Sequence, residues 1–229
     1  MSQAIQSNLL PSRHLSLPRA PTLSFASFNN KYASDSCYII GRGQTTYDYQ
    51  NLSSLHDPIF FINDAVCLES VTRSETFFFA HDPQMLPWLD GSLHSTAVLP
   101  INGKLFTTAT TTFPHTTPTL FYHWPRKNKE SLLQLSRDQL AETQQLYTHT
   151  GTIHSLLHFV WFCGFSHATL IGCDGISSTS RSPTQGLYDP RLQNKSQSTP
   201  AWQYATIRQA QDLLAIHLNL KTTYQGTPK

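Results

Sequence analysis

The sequence predicts an α/β domain built on a mostly parallel sheet, and two observations carry that expectation. The first is a repeated plan of short apolar runs that end in polar residues. Pro58-Ile59-Phe60-Phe61-Ile62 ends in Asn63-Asp64, and Thr76-Phe77-Phe78-Phe79-Ala80 ends in His81-Asp82. Strands that are apolar throughout are those buried on both faces, as in parallel sheets. The second is the stretch His149–Gly175, which reads as a polar turn, a buried helix, a bend, a hydrophobic strand and an acidic residue at the strand's end. Within it Ile153, Leu156, Leu157, Val160 and Trp161 recur at i, i+3, i+4, i+7 and i+8, one face of a helix. Gly164 stands just past the helix end, where glycine is favoured, and Ala168–Ile171 is an apolar run of strand length.

Size and composition bound the answer. A chain of 229 residues holds one sizeable core and reads as one domain. Hydrophobic residues make up 39% and charged residues only 13%, a globular balance. The net charge of +2 is too small to make nucleic acid a main partner. No apolar run approaches the roughly 18 residues of a membrane span, so any membrane contact would be peripheral. Cys37, Cys67, Cys163 and Cys173 match no zinc spacing, and a chain of this size needs no disulfide staples. They read as buried reduced thiols. The start of the chain holds no secretory apolar core, and a cytoplasmic location is the expectation.

In chain order, residues 1–36 read as a flexible N-terminal extension. They carry Pro, Ser and Arg, have no acidic residue before Asp35, and show no apolar period. A transit-type presequence shares those traits; a flexible arm is the preferred reading. Residues 37–229 would form the domain. Cys37–Ile40 is a short strand running into Gly41-Arg42-Gly43-Gln44-Thr45-Thr46. A strand feeding G-x-G lets the backbone pass close to a phosphate or ribose, though Thr46 replaces the third glycine of the full motif and a plain turn fits equally. Ser95–Pro100 and Thr119–His123 read as further strands. Lys127–Tyr147 reads as one helix, with Ser136 and Gln139 at capping-box spacing and Leu140 and Tyr147 on one face. Residues 176–199 are polar and aperiodic, with the length of a lid loop, and hold Arg181, Tyr188, Asp189, Arg191 and Lys195. Thr199-Pro200 opens a last helix, with Tyr204, Ile207, Gln211 and Leu214 on its buried face. Leu220–Tyr224 is a final strand.

The strand ends place Gly41–Gly43, Asn63-Asp64, His81-Asp82, His123 and Asp174 along one edge of such a sheet. Open α/β sheets bind ligands outside the carboxyl ends of their strands. Gly151-Thr152, at the start of the buried helix, offers unpaired N–H groups that suit a phosphate. His81 is the candidate base, with Asp82 to orient it. Asn63 and Asp64 suit a ribose and base, or equally the N–H groups of a turn. Asp174 either faces the site or caps the next turn. Arg181 and Arg191 suit phosphates, but exposed loop arginines are ordinarily just solvated. His154 and His158 lie at i, i+4, and with His149 they suggest a metal. No H-E-x-x-H pattern accompanies them, so core histidines and no metal are expected.

The order of these motifs resembles that of the family 42 bacterial sialyltransferases, and of the wider group with the MptE-like 6-hydroxymethylpterin diphosphokinase domain. GRGQTT after its strand resembles their G-x-G-P-S turn. IFFINDA resembles their second strand, which ends in Asn, and TFFFAHDP their third. GTIHSLLHFVWFCGFSHATLIGCDG resembles their Ser/Thr-Gly helix and the G-x-D strand after it, and is the most specific segment. The likeness covers about Tyr38–Asp174 and, loosely, the last helix. It implies a single Rossmann-like domain, a mostly parallel sheet with helices on both faces, that binds a nucleotide. It also implies a sialyltransferase-like glycosyltransferase using a nucleotide-activated sugar, a CMP-sugar in that family, for metal-independent transfer to a glycan hydroxyl, with no separate cofactor. The candidate nucleotide-binding set is then Gly41, Arg42, Gly43, Gln44, Thr45, Asn63, Asp64, Gly151 and Thr152. The candidate catalytic set is His81, Asp82, Asp174 and Tyr188, the last where that family sets tyrosine hydroxyls against the leaving phosphate.

The chain departs from the family at two places. Sialyltransferases carry a general-base His between the lid and the last helix, and Ser198–Tyr204 contains none. Gln44-Thr45 stands where the family has Pro-Ser. Two alternatives follow. One is Mg²⁺-dependent diphosphate transfer to a pterin-like alcohol, with Asp64, Asp82 and Asp174 as metal ligands. The other is a nucleotide- or glycan-binding protein that lost the base.

Overall fold

The computed structural model describes residues 21–41, 54–55, 58–63, 65, 75–81, 96–101, 117–124, 129–149, 151–173 and 201–225. Eight strands form one sheet: β1 (Thr22–Leu23), β2 (Ser36–Ile40), β3 (Ile59–Ile62), β4 (Thr76–Phe79), β5 (Thr96–Ile101), β6 (Thr119–His123), β7 (His167–Ile171) and β8 (Lys221–Gln225). Their order is β1-β6-β5-β4-β3-β2-β7-β8, and every pairing is parallel. Among the described residues three α-helices accompany the sheet: α1 (Arg137–Thr143), α2 (Thr152–Phe162) and α3 (Ala201–His217). This is an α/β fold of the Rossmann-like kind.

The apolar runs behave as fully buried strands. Side chains alternate across a strand, so Phe60, Phe77 and Phe79 enter the core layer on one face. Phe61 and Phe78 enter the layer on the other. On the first face Phe159 of α2 is the hub. Its ring centre lies 6.0 Å from those of Phe25, Phe28 and Phe79, and 6.3 Å from those of Phe60 and Phe162. Leu140 of α1 and Leu214 of α3 join the same layer. The second face buries Ile40, Ile59, Ala97, Leu99 and Ile171 with Leu55 and Ala65. The described helices thus lie on the first face, and any helix on the second lies outside the described residues. No helix among the described residues is long and apolar enough to cross a membrane.

Two expectations need correction. The extension expected over 1–36 is too long, because residues 21–36 belong to the folded unit. β1 pairs with β6, and a 3₁₀ helix over Phe25–Phe28 follows it. Phe25 is 1% exposed, and Phe162 stacks on it at 4.5 Å. Tyr32 stacks on Phe165 at 4.7 Å. The apolar residues here are few but aromatic, and each buries enough area to anchor a segment without periodicity.

The single helix expected over Lys127–Tyr147 is two elements, a 3₁₀ helix at Lys129–Gln134 and then α1. The Ser136 hydroxyl accepts the Gln139 N–H at 3.3 Å, and the Gln139 side-chain oxygen accepts the Ser136 N–H at 2.9 Å. That reciprocal cap starts a new helix and so breaks the earlier one. α1 then ends at Gln144, which is left-handed with φ 53°, so Tyr147 lies beyond it. Cys37 and Cys163 are buried free thiols and Cys173 is a half-buried one; Cys67 lies outside the described residues.

Phe25→Ala is expected to cost about 3–5 kcal/mol in urea denaturation, the range for deleting a buried ring. A change near zero would return residues 21–36 to the status of an arm.

Candidate functional site

From β2 the chain steps through β3, β4, β5 and β6 in one direction, then places β7 on the other side of β2, with β8 beyond it. The direction reverses between β2 and β7. In open α/β sheets the ligand crevice lies outside the carboxyl ends of the strands at such a reversal. Here those ends are Gly41 after β2 and Gly172-Cys173 after β7. The Gly41 N–H donates to the Ile171 carbonyl at 2.8 Å. A Cβ on Gly41 would meet the Gly172 carbonyl oxygen at 2.4 Å and Cys173 Sγ at 3.0 Å. Glycine at position 41 therefore serves the joint between two strand exits. The chain leaves β7 through Gly172, whose φ of 65° favours glycine.

Asn63 follows β3 with φ 54°, a left-handed conformation that asparagine tolerates better than most residues. Its Oδ1 is enclosed and has no hydrogen-bond partner among the described residues. His81 follows β4. Continuing the alternation of Phe77 and Phe79 turns it toward α2. Its ring centre is 4.5 Å from that of Trp124, 6.1 Å from Phe79 and 6.3 Å from Tyr122. Its Nε2 is also enclosed without a partner among the described residues. Burial, and secondarily the nearby His154, hold the His81 pKa down at about 4, so the ring is neutral at pH 7.

α2 runs antiparallel to the strands and brings its first turn to this same edge. Gly151 is the N-cap in an extended conformation. Its N–H donates to Nδ1 of His154 at 3.2 Å. His154 thereby does what a Glu or Gln at that position usually does in a capping box. The ring of His149 stands 5.3 Å from that of His154. Ser155 comes next, fully buried. Its hydroxyl faces that of buried Tyr122, with neither in hydrogen-bond geometry with a partner among the described residues.

Of the residues expected at the site, the fold brings Gly41, Asn63, His81, Gly151 and Thr152 to one edge. Arg42, Gly43, Gln44, Thr45, Asp64, Asp82, Asp174 and Tyr188 lie outside the described residues, as does the loop expected over 176–199. Tyr122, Trp124 and Ser155 were not singled out in the sequence. The available signal was parity, since Leu120, Tyr122 and Trp124 alternate onto the α2 side. His158 is a core histidine, as expected. Its Nδ1 accepts the Tyr147 N–H at 2.8 Å, and its ring stacks on Trp161 at 5.5 Å. Among the described residues no three His, Cys, Asp or Glu side chains converge as metal ligands.

No protein-family model matches the sequence, and no curated protein matches it. Fold and site together define a class: a Rossmann-like α/β domain with enclosed polar groups at the carboxyl edge of its sheet.

Two neutral histidines make stability depend on pH. His158 is held at about 3 by burial and then by His217, and His81 at about 4. Both lie below the ordinary value of 6.5. Above that value neither state binds the proton. As pH falls below it, the unfolded chain protonates first and the native state loses ground until the folded pKa is reached. The expected slope is up to about 1.4 kcal/mol per pH unit for the fully buried His158. His158→Gln should flatten the urea-derived stability profile between pH 6.5 and 4. An unchanged slope would mean that His158 is not held neutral.

Proposed function

We propose that the protein is a glycosyltransferase-like enzyme of the sialyltransferase kind, using a nucleotide-activated sugar, a CMP-sugar, for metal-independent transfer to a glycan hydroxyl. The observation that carries this reading is His81: a neutral imidazole with an unsatisfied nitrogen, at the carboxyl edge of the sheet and near enough to His154 in the first turn of α2 to feel its charge. The sequence lacks the histidine that similar enzymes carry before the last helix, and His81 supplies a base from another strand. The motif resemblance supports the same class.

In this reading the donor lies across the strand ends at the β2/β7 reversal, with Gly41 and Gly172 shaping its floor. The Asn63 side chain bonds the nucleoside. The N–H groups of the α2 first turn face the phosphate, where the positive end of the helix dipole favours negative charge. The acceptor oxygen attacks the anomeric carbon, and the bond from that carbon to the phosphate oxygen breaks. The nucleotide leaves with the bonding electron pair, and His81 takes the proton from the attacking hydroxyl. A base with a pKa near 4 is weak for work at pH 7. A bound phosphate anion nearby raises it, so the donor itself tunes the base.

CMP or a CMP-sugar at about a hundredfold excess over Kd should raise the melting temperature by roughly 5–10 °C. Asn63→Gly, which keeps the left-handed backbone free of strain, should lose most of that shift. Donor turnover should survive complete chelation and fall about 10²–10⁴-fold in His81→Ala. Absence of a shift with every nucleotide tried, with and without Mg²⁺, would reject the reading. A shift or turnover that appears only with Mg²⁺ would favour diphosphate transfer instead.

A further inference from the structure

The Nε2 of His81 is the enclosed nitrogen without a partner among the described residues. Beside the ring stands Tyr122, 0% exposed, its ring centre 6.3 Å away. Behind it stands Ser155, 0% exposed, whose hydroxyl faces the tyrosine's. Both hydroxyls likewise lack a hydrogen-bonded partner among the described residues. Three polar atoms without partners among the described residues, on the turn after β4, on β6 and on α2, are thus linked by the His81–Tyr122 ring contact and the Tyr122–Ser155 approach. A lone orphan in a core is a cost; neighbouring ones offset it where they pair with one another or through a water.

We propose that Tyr122 and Ser155 are positioning residues for His81, holding its Nε2–H in a buried chain so that Nδ1 presents the lone pair that takes the substrate proton. Nε2–H donates through one bridging water to the Tyr122 hydroxyl oxygen, and the Tyr122 O–H, after a small turn of the side chains, donates on to Ser155 Oγ. A neutral imidazole has one donor and one acceptor nitrogen. Fixing the donor inward commits the acceptor outward, toward the edge. When Nδ1 takes a proton the ring becomes a cation, and the hydroxyl dipole behind Nε2–H stabilises it. The proton stays on Nδ1 until the product leaves. Among the described residues the titratable groups near His81 are His154 of α2, with His149 beside it, and the Tyr122 phenol itself. None of these carries a negative charge at neutral pH, so the chain of neutral dipoles does the orienting. The role in catalysis rests on the function proposed above; the tautomer does not.

The test is nitrogen-15 imidazole NMR on the free full-length protein. The expected result is a single neutral His81 tautomer protonated at Nε2, with that proton slow to exchange. In Tyr122→Phe and in Ser155→Ala the tautomer should become mixed, and Nε2–H exchange should quicken by up to about 10-fold, the factor that corresponds to losing one hydrogen bond. Ser155→Ala is the smaller change and keeps the test available if Tyr122→Phe fails to fold. In turnover, both variants should lower kcat with KM unchanged and shift the acid limb of the pH profile. A wild-type His81 protonated at Nδ1, or an unaltered tautomer and exchange rate in the variants, would overturn the proposal. If the Nε2–H tautomer is found but no donor turns over, the function proposed above fails and the positioning of His81 stands.

Discussion

The seat of α2 on the sheet is the constraint on which the site depends. Phe159 meets aromatic rings from the N-terminal 3₁₀ helix, from β3 and from β4 at once. A ring held on three sides fixes both the height and the rotation of its helix, because close-packed interiors leave no slack for a shift. Residues four apart share a helix face, so Ser155 stands one turn nearer the carboxyl edge on the same stripe as Phe159. That places it over the end of β6, against Tyr122. His154, one residue back, caps the helix and lies close enough to His81 to depress its protonation. A packing contact near the middle of the helix thus sets the polar geometry at its start.

At the amino edge one polar network is complete: Lys31 Nζ donates to the Tyr32 hydroxyl at 2.9 Å, and that hydroxyl donates to Glu75 at 3.1 Å. At the carboxyl edge Asn63 Oδ1, His81 Nε2, Tyr122 Oη and Ser155 Oγ are enclosed without partners among the described residues. An unmade buried hydrogen bond costs about 1–3 kcal/mol. The four such atoms at the carboxyl edge are polar groups ready there for another use. The His158 Nε2 is a further such atom, lying deeper, and its ring is held by Tyr147 and Trp161.

Much of this was legible in the residues. The uniformly apolar strands at 59–62 and 76–79 gave away a sheet buried on both faces, and the period of Ile153–Trp161 with Gly164 after it located α2 to within a residue at either end. The Ser136–Gln139 spacing was recognised as a cap but read as lying inside a helix, although a cap marks a beginning. The N-terminal segment was missed because Phe25, Phe28 and Tyr32 anchor it by ring size and not by period. Gly41 was legible as a glycine that something must approach; that the approaching atom is the Gly172 carbonyl just past β7 depends on strand order, which no local pattern encodes. Tyr122 and Ser155 were hidden for the same reason, since only the crossing of α2 over β6 makes them neighbours. Asp82, Asp174 and Tyr188, which the resemblance implicates in catalysis, lie outside the described residues.

The central claim is that a nucleotide binds across the carboxyl edge at the β2/β7 reversal. Amide chemical-shift mapping with CMP tests it most directly, because each edge of the sheet reports separately. The account predicts shifts clustered at Gly41, Asn63, His81, Gly151, Thr152 and Cys173, with Ser36, Thr76 and His167 at the opposite edge unmoved. Shifts centred on that opposite edge, or none at saturating CMP, would contradict it.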